Sequence, residues 1–277
     1  MLLAVPNISE GRDEKTLASI GSAFAEGGAA VLDLHVDYDH HRAVFTLAGE
    51  PGTLAGALLA GAREAVATID LRTHAGAHPR VGAVDVAPVV HLGDADRGAA
   101  CAEALVLAHR LGNELDLPVY LYGALAGGRT RAHLRRRLAA LADVAPDYGP
   151  RRPHPTAGAV LVAARPPLIA FNVELGGSVT PGQARTIAAR IREGGARGLP
   201  GVRALGLALP SAGVVQVSTN IEDHRITTPA EVVAAVGRHA EVAGAELVGL
   251  APAAAFADFP ASVPLRGLRT IEDALGR

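Results

Sequence analysis

Short Val/Leu runs alternate along this chain with alanine-rich stretches of helical period, and that alternation predicts an α/β protein. Leu2–Val5 reads as a strand, Asn7–Arg12 as a polar turn and Asp13–Glu26 as a helix. Ala29–His35 and His41–Ala48 follow as strands, with a helix over Thr53–Ile69. Val81–Leu92 predicts another strand, Asp94–Leu115 a long helix, and Val119–Leu121 a strand that closes this half. Ala145–Gly158 is turn chemistry throughout, because its prolines give an ordered but irregular loop. A second cycle then begins with strands at Ala159–Ala163 and Leu168–Val173. It continues with a helix over Pro181–Glu193, strands at Val202–Leu209 and Val214–Asn220, a helix over Pro229–Ala243 and a strand at Glu246–Leu250. Two α/β lobes are therefore expected, residues 1–171 and 172–277, with a hinge near Phe171. In the tail after Ala253, only Thr270–Leu275 suggests a helical turn.

Composition narrows the class. The chain is 277 residues long, 49% hydrophobic and 19% charged, and its apolar runs are too short to span a bilayer. The first five residues lack a basic flank and meet Pro6 at once, so they read as a strand rather than a leader, and a cytoplasmic location is expected. The lone Cys101 has no internal disulfide partner and is expected to be buried and inert. A net charge of -2 and 3% aromatic residues argue against a nucleic-acid platform. Arg129–Arg137, the one basic run, has helical spacing and is expected to be a solvated face. Neither half carries a phosphate-binding loop of the G-x-x-x-x-G-K or strand-G-x-G-x-x-G type.

Ionisable residues concentrate in Asp70–Pro88, DLRTHAGAHPRVGAVDVAP, where Gly76, Pro79 and Gly82 break any helical period. His74, His78, Arg80 and Asp85 are thus expected on a loop entering a strand. An imidazole there can move a proton near neutral pH, and a guanidinium can hold a carboxylate in bidentate fashion. Asn7, Ser9, Glu10 and Arg12 follow the first strand, while His35, Asp37, Asp39, His40, His41 and Arg42 lie between the second and third. Taken singly, Ser9 and Asp13 read best as turn or N-cap residues. The five histidines between positions 35 and 78 suggest one shared cleft. Proton transfer with arginine clamps fits them better than a metal site, although a metal-dependent hydrolase stays open on the residues alone.

VPNISEGRD, DLHVDYDHHRAVFTLAGEP, IDLRTHAGAHPRVGAVDVAP, LPVYLYG, APDYGP, LIAFNVEL, VQVSTNIED and ELVGLAP occur here in the order seen in the formiminotransferase domain of glutamate formimidoyltransferases, and the chain resembles that family from Val5 to about Pro252. The resemblance implies two subdomains, each a small sheet with helices outside, with a ligand groove between them. It also implies a homodimer and transfer of a formimino group from N-formimino-L-glutamate to the co-substrate tetrahydrofolate in histidine degradation, with no metal, membrane or nucleic acid involved. The family's catalytic histidine, in an H-P-R tripeptide, falls on His78. Its folate-binding segment falls on Gly149, Pro150, Arg151, Arg152, Pro153, His154, Pro155, Thr156, Ala157 and Gly158. Candidate substrate-binding residues are Asn7, Arg12, His35, His41, Arg42, His74 and Arg80. Ala77 and the Gly123-Ala124 pair stand where the family usually has Glu. A folate-binding protein with altered substrate or no turnover is the alternative those departures keep open.

Overall fold

A proline sets the first detail of the architecture. Strand β1 (Leu2–Ala4) and strand β2 (Asn7–Ile8) run between the same two neighbours, interrupted only at Val5-Pro6. Pro6 has no N–H to give, yet its carbonyl still accepts from Phe45 N at 3.1 Å and the sheet continues past it. Asn7 and Ile8 therefore belong to the sheet rather than to the expected turn. The computed structural model describes residues 1–76, 79–139 and 144–277, and the chain divides into two compact units, Met1–Pro166 and Pro167–Arg277.

In the first unit, α1 (Glu14–Glu26) is capped by Asp13 and buries Leu17, Ile20 and Phe24 on one stripe. The hairpin β3 (Ala30–Asp37) and β4 (Arg42–Gly49) follows, and Phe24 meets Phe45 edge-on at 5.2 Å. Next come α2 (Leu54–Thr68), β5 (Val84–Val90), α3 (Arg97–Glu114), β6 (Val119–Leu121), α4 (Arg131–Ala139) and β7 (Val160–Arg165). Strand order is β3, β4, the β1/β2 pair, β5, β7, β6, with β7 parallel to both its neighbours and the other pairings antiparallel. Helices α1 to α3 share one core with the sheet, where alanines keep α2 close to its neighbours. Thr53 makes no side-chain cap to α2; the buried Glu103 of α3 instead accepts from Gly52 N and Ala55 N. Cys101 on α3 is a free thiol, only partly buried rather than enclosed.

A separate small core, around Tyr120, Tyr122, Leu161 and Leu134 of α4, covers part of the sheet. The register places His35, Val44, Asn7 and Val86 in one row across β3, β4, β2 and β5. Arg42 precedes Val44 by two residues and so shares that face.

The second unit contains β8 (Ile169–Leu175), α5 (Pro181–Ile191), β9 (Val202–Leu209), β10 (Val214–Ile221), α6 (Pro229–Gly237), β11 (Val242–Val248), β12 (Leu265–Arg266) and α7 (Ile271–Ala274). Its sheet runs β12, β11, β8, β10, β9 and is antiparallel except for β12 beside β11. The division of the chain falls at Pro166/Pro167, and Phe171 is a fully buried member of this unit's core, ringed by Phe256 and Phe259. Both α5 and α6 begin with capping boxes, Thr180/Gln183 and Thr228/Glu231, each followed by proline at the first helical turn. Helix α6 ends at Gly237, short of the expected Ala243, because Val242 onward pairs with β8. Thr270 caps α7, the turn expected there. No helix among the described residues is long and apolar enough to cross a membrane.

Candidate active site

The ionisable residues of the first unit gather where β2, the β3–β4 hairpin, the loop before β5 and α4 meet. Glu10 organises the loop after β2, since one carboxylate oxygen accepts from the backbone N–H groups of Gly11, Arg12 and Asp13 at 2.8, 2.7 and 3.0 Å. Burial works to raise its pKa, but those bonds and the nearby His41 outweigh it and hold the carboxyl below its usual range. Ser9 is buried here and is not an N-cap: its hydroxyl donates to Gly82 O at 2.8 Å, tying β2 to the approach of β5.

His41 ends the hairpin turn with a left-handed φ of 49°. Its Nε2 lies 3.0 Å from Glu10 Oε1 and its Nδ1 3.1 Å from Ala75 O, so both ring nitrogens face acceptors. His74 stacks on it with ring centroids 3.8 Å apart and planes 9° from parallel. Burial, then the charges of Arg80 and His41, push the His74 pKa down to about 4. His74 is therefore neutral at pH 7, and its Nδ1 accepts from the Arg80 guanidinium. A second Arg80 nitrogen donates to Gly76 O at 2.9 Å. These bonds join residues on the two sides of positions 77 and 78, which lie, His78 included, outside the described residues. Gly76 is required at its position, because a Cβ there would sit 2.4 Å from His40 O.

Beside this cluster stands a second one. Asp85 is buried at the start of β5, accepts from Val81 N at 2.7 Å, and pairs with Arg135 of α4. The helix over residues 131–139 is thus more than a solvated face. Arg131 and Arg135 fall on the same stripe as the buried Leu134 and the packed Leu138, and Arg131 lies over the Tyr122 ring at 5.8 Å. That spacing was the signal in the sequence for Arg135. Arg42 lies within electrostatic reach of Asp85, Asp37, Arg135 and Arg131. Burial pulls its pKa down to about 10, Asp85 opposes the fall, and Arg135 adds to it. Its guanidinium makes no side-chain hydrogen bond or ion pair among the described residues.

The loop at residues 149–158 adjoins the same place. His154 and Gly158 exchange backbone hydrogen bonds at 2.8 and 3.0 Å, and His154 Nδ1 accepts from Ala157 N at 3.1 Å. Thr156 O accepts from Leu71 N, Ala157 O from Ala83 N, and Val81 O from Ala159 N, at 2.8, 2.9 and 2.9 Å. The loop is laced to both flanks of the segment at 74–80. A Cβ on Gly82 would lie 1.8 Å from Ala159 O, so only glycine permits that approach. Arg151, Arg152 and Pro153 are exposed at the tip, whereas Gly149 packs under Leu117 O with φ of 79° and is structural.

Other expected site residues lie differently. Arg12 is exposed, donating to Tyr38 O at 3.2 Å and lying 4.7 Å from the centre of the Tyr38 ring. His35 and Asn7 are partly exposed in the sheet row described above. His40 is buried against Asp37, with Nδ1 at 2.6 Å from the carboxylate. Of the histidines between positions 35 and 78, His35 lies in the sheet, His40 in an ion pair, and His41 and His74 in a stacked pair. No group of three or more His, Cys, Asp or Glu side chains placed to hold a metal ion occurs among the described residues.

Comparison with known proteins adds lineage to this geometry. The formiminotransferase domain, N-terminal subdomain, matches residues 1–165, and the formiminotransferase domain matches residues 170–261. The formimidoyltransferase-cyclodeaminase of Rattus norvegicus is 36% identical over 279 residues, covering 92% of this chain and 50% of that protein. The glutamate formimidoyltransferase of Streptococcus pyogenes serotype M1 is 34% identical over 270 residues, covering 92% of this chain and 90% of its own length. That of Thermoplasma acidophilum is 34% identical over 273 residues, covering 92% and 89%. The chain thus spans about half the length of the cyclodeaminase relatives and most of the two others.

Proposed function

The chain belongs to the formiminotransferase family, and from that premise we propose that it transfers a formimino group from N-formimino-L-glutamate to N5 of tetrahydrofolate. In this reaction N5 attacks the amidine carbon, a new C–N bond forms, and the C–N bond to glutamate breaks. N5 loses a proton and the departing glutamate nitrogen gains one, so a single imidazole can serve as base and then as acid. His78 takes that role. The reaction is placed in cytoplasmic histidine degradation, carried out by a homodimer that needs no metal.

The observation that carries the proposal is Arg42. A partly buried guanidinium that makes no ion pair among the described residues, with Arg135 and Arg131 adding positive charge and Asp85 and Asp37 offsetting part of it, suits the carboxylate of an acidic substrate. Asp85 offsets part of the charge and is itself engaged by Arg135 and Val81. Arg80 and His74 act on the loop rather than on substrate: their hydrogen bond fixes the ends of the segment that carries His78. The lacing of residues 154–158 to Leu71 and to residues 81–83 supports folate binding beside that histidine, with Arg151 and Arg152 offered to the folate carboxylates. Holding two small molecules in register is worth on the order of 7–11 kcal/mol of barrier at best.

The test is an assay of the purified chain with tetrahydrofolate and N-formimino-L-glutamate beside His78→Ala. Turnover is expected in the wild type, with a loss of about 10²–10⁴-fold in the mutant. Tetrahydrofolate binding without turnover in the wild type selects the alternative, a binding protein, which the absence of Glu at Ala77 and Gly123 favours.

A further inference from the structure

The second unit holds a pocket of about 190 Å³ between α5 and the turn after α6. Gln183, Thr186, Ile187 and Arg190 line it from one stripe of α5, and His239 faces them. From these residues we infer that the pocket binds a compact oxyanion, of the size and charge of a phosphate group.

The polar groups on offer are donors. Gln183 spends its side-chain oxygen on the backbone N–H and hydroxyl of Thr180, at 2.8 and 2.9 Å, which leaves its NH₂ available. The Nε2 of His239 is buried and has no hydrogen-bond partner among the described residues. Arg190 makes no ion pair among them. Burial and then the positive charges of Arg190, Arg197 and Arg238 all act to keep His239 unprotonated, and no carboxylate contributes to offset them. Like charges gathered without a counter-ion repel one another, and a bound anion turns that repulsion into attraction. Thr186 gives its proton to Gly182 O at 3.1 Å, so the anion would rest on the guanidinium, the imidazole and the amide. The cavity is large enough to accommodate a phosphate. Its lining comes from the second unit alone, and the inference does not depend on the reaction proposed for the first.

The experiment titrates the full chain with inorganic phosphate at constant ionic strength, following heat and the His239 ring resonances. Saturable one-site binding, with Kd of about 1 mM or below, is expected. Arg190→Ala should weaken it at least about ten-fold and Arg190→Lys less, because only arginine offers the planar fork. Arg190 is exposed, so both variants should fold as the wild type does. Formimino transfer should be unchanged by Arg190→Ala when phosphate is absent. No saturation by about 20 mM phosphate, or equal affinity in Arg190→Ala, would overturn the assignment. Tighter binding of glutamate than of phosphate would overturn the class of ligand.

Discussion

The two units are built from similar elements yet spend their polar residues differently. In the second, the polar hydrogen bonds mostly close helix ends and exposed ion pairs, as at Thr180, Thr228 and Arg225–Asp223. In the first, several tie loops and elements to one another across long stretches of chain: Ser9 to Gly82, His41 to Ala75, and Arg135 of α4 to Asp85 of β5. Local caps hold elements that would form anyway, whereas long-range polar ties hold a geometry that backbone propensity does not specify. Chemistry is expected where the second kind concentrates.

Asp85→Ala should break the first unit most severely. It removes a buried carboxylate and leaves Arg135 and Arg42 facing each other, at a cost of about 3–5 kcal/mol in denaturant unfolding, together with loss of transfer activity. Gly82→Ala comes next, because its Cβ meets Ala159 O and the strand must shift; about 1–3 kcal/mol is expected, with folate affinity falling in parallel.

A pH titration sharpens the comparison. The His74 pKa lies near 4 in the folded chain against 6.5 for an ordinary histidine, so between those values the unfolded chain takes up a proton that the native ring refuses. His74 therefore contributes stability that is present above about pH 6.5 and lost as pH falls toward 4, on the order of 1–2 kcal/mol once solvent screening is allowed for. His74→Gln should flatten that slope in the first unit. The smallest effect is Thr228→Ala, which removes one cap of α6 for about 1 kcal/mol and should leave activity untouched. A loss of turnover in that variant would erase the distinction between the units.

The same distinction separates what is legible in the sequence from what is not. Strands such as Val202–Leu209 and helices such as Glu14–Glu26 were legible because their signals are local: alternation, a 3.6-residue stripe, an aspartate at the N-cap. The end of α6 was not, since Ala240–Ala243 suits a helix and only pairing with β8 draws Val242 into a strand. Likewise the helical spacing around Arg135 predicts a solvated face, and only the fold brings Asp85, fifty positions away, against it. The segments at 74–80 and 149–158 are each visible as irregular polar stretches, but the lacing of the second to the flanks of the first, at Leu71, Val81 and Ala83, includes the meeting of Gly82 and Gly158 across a bridge. Partnerships of that kind have no sequence period.

Arg42, which makes no ion pair among the described residues, gives the most direct test that the first unit holds a substrate anchor. In steady-state kinetics at saturating tetrahydrofolate, Arg42→Ala should raise KM for N-formimino-L-glutamate by about 10–100-fold, as expected for loss of a charge-assisted contact worth about 1.5–3 kcal/mol, while thermal unfolding changes little. Arg42→Lys should recover part of the loss. An unchanged KM in a folded, active Arg42→Ala protein would contradict the account.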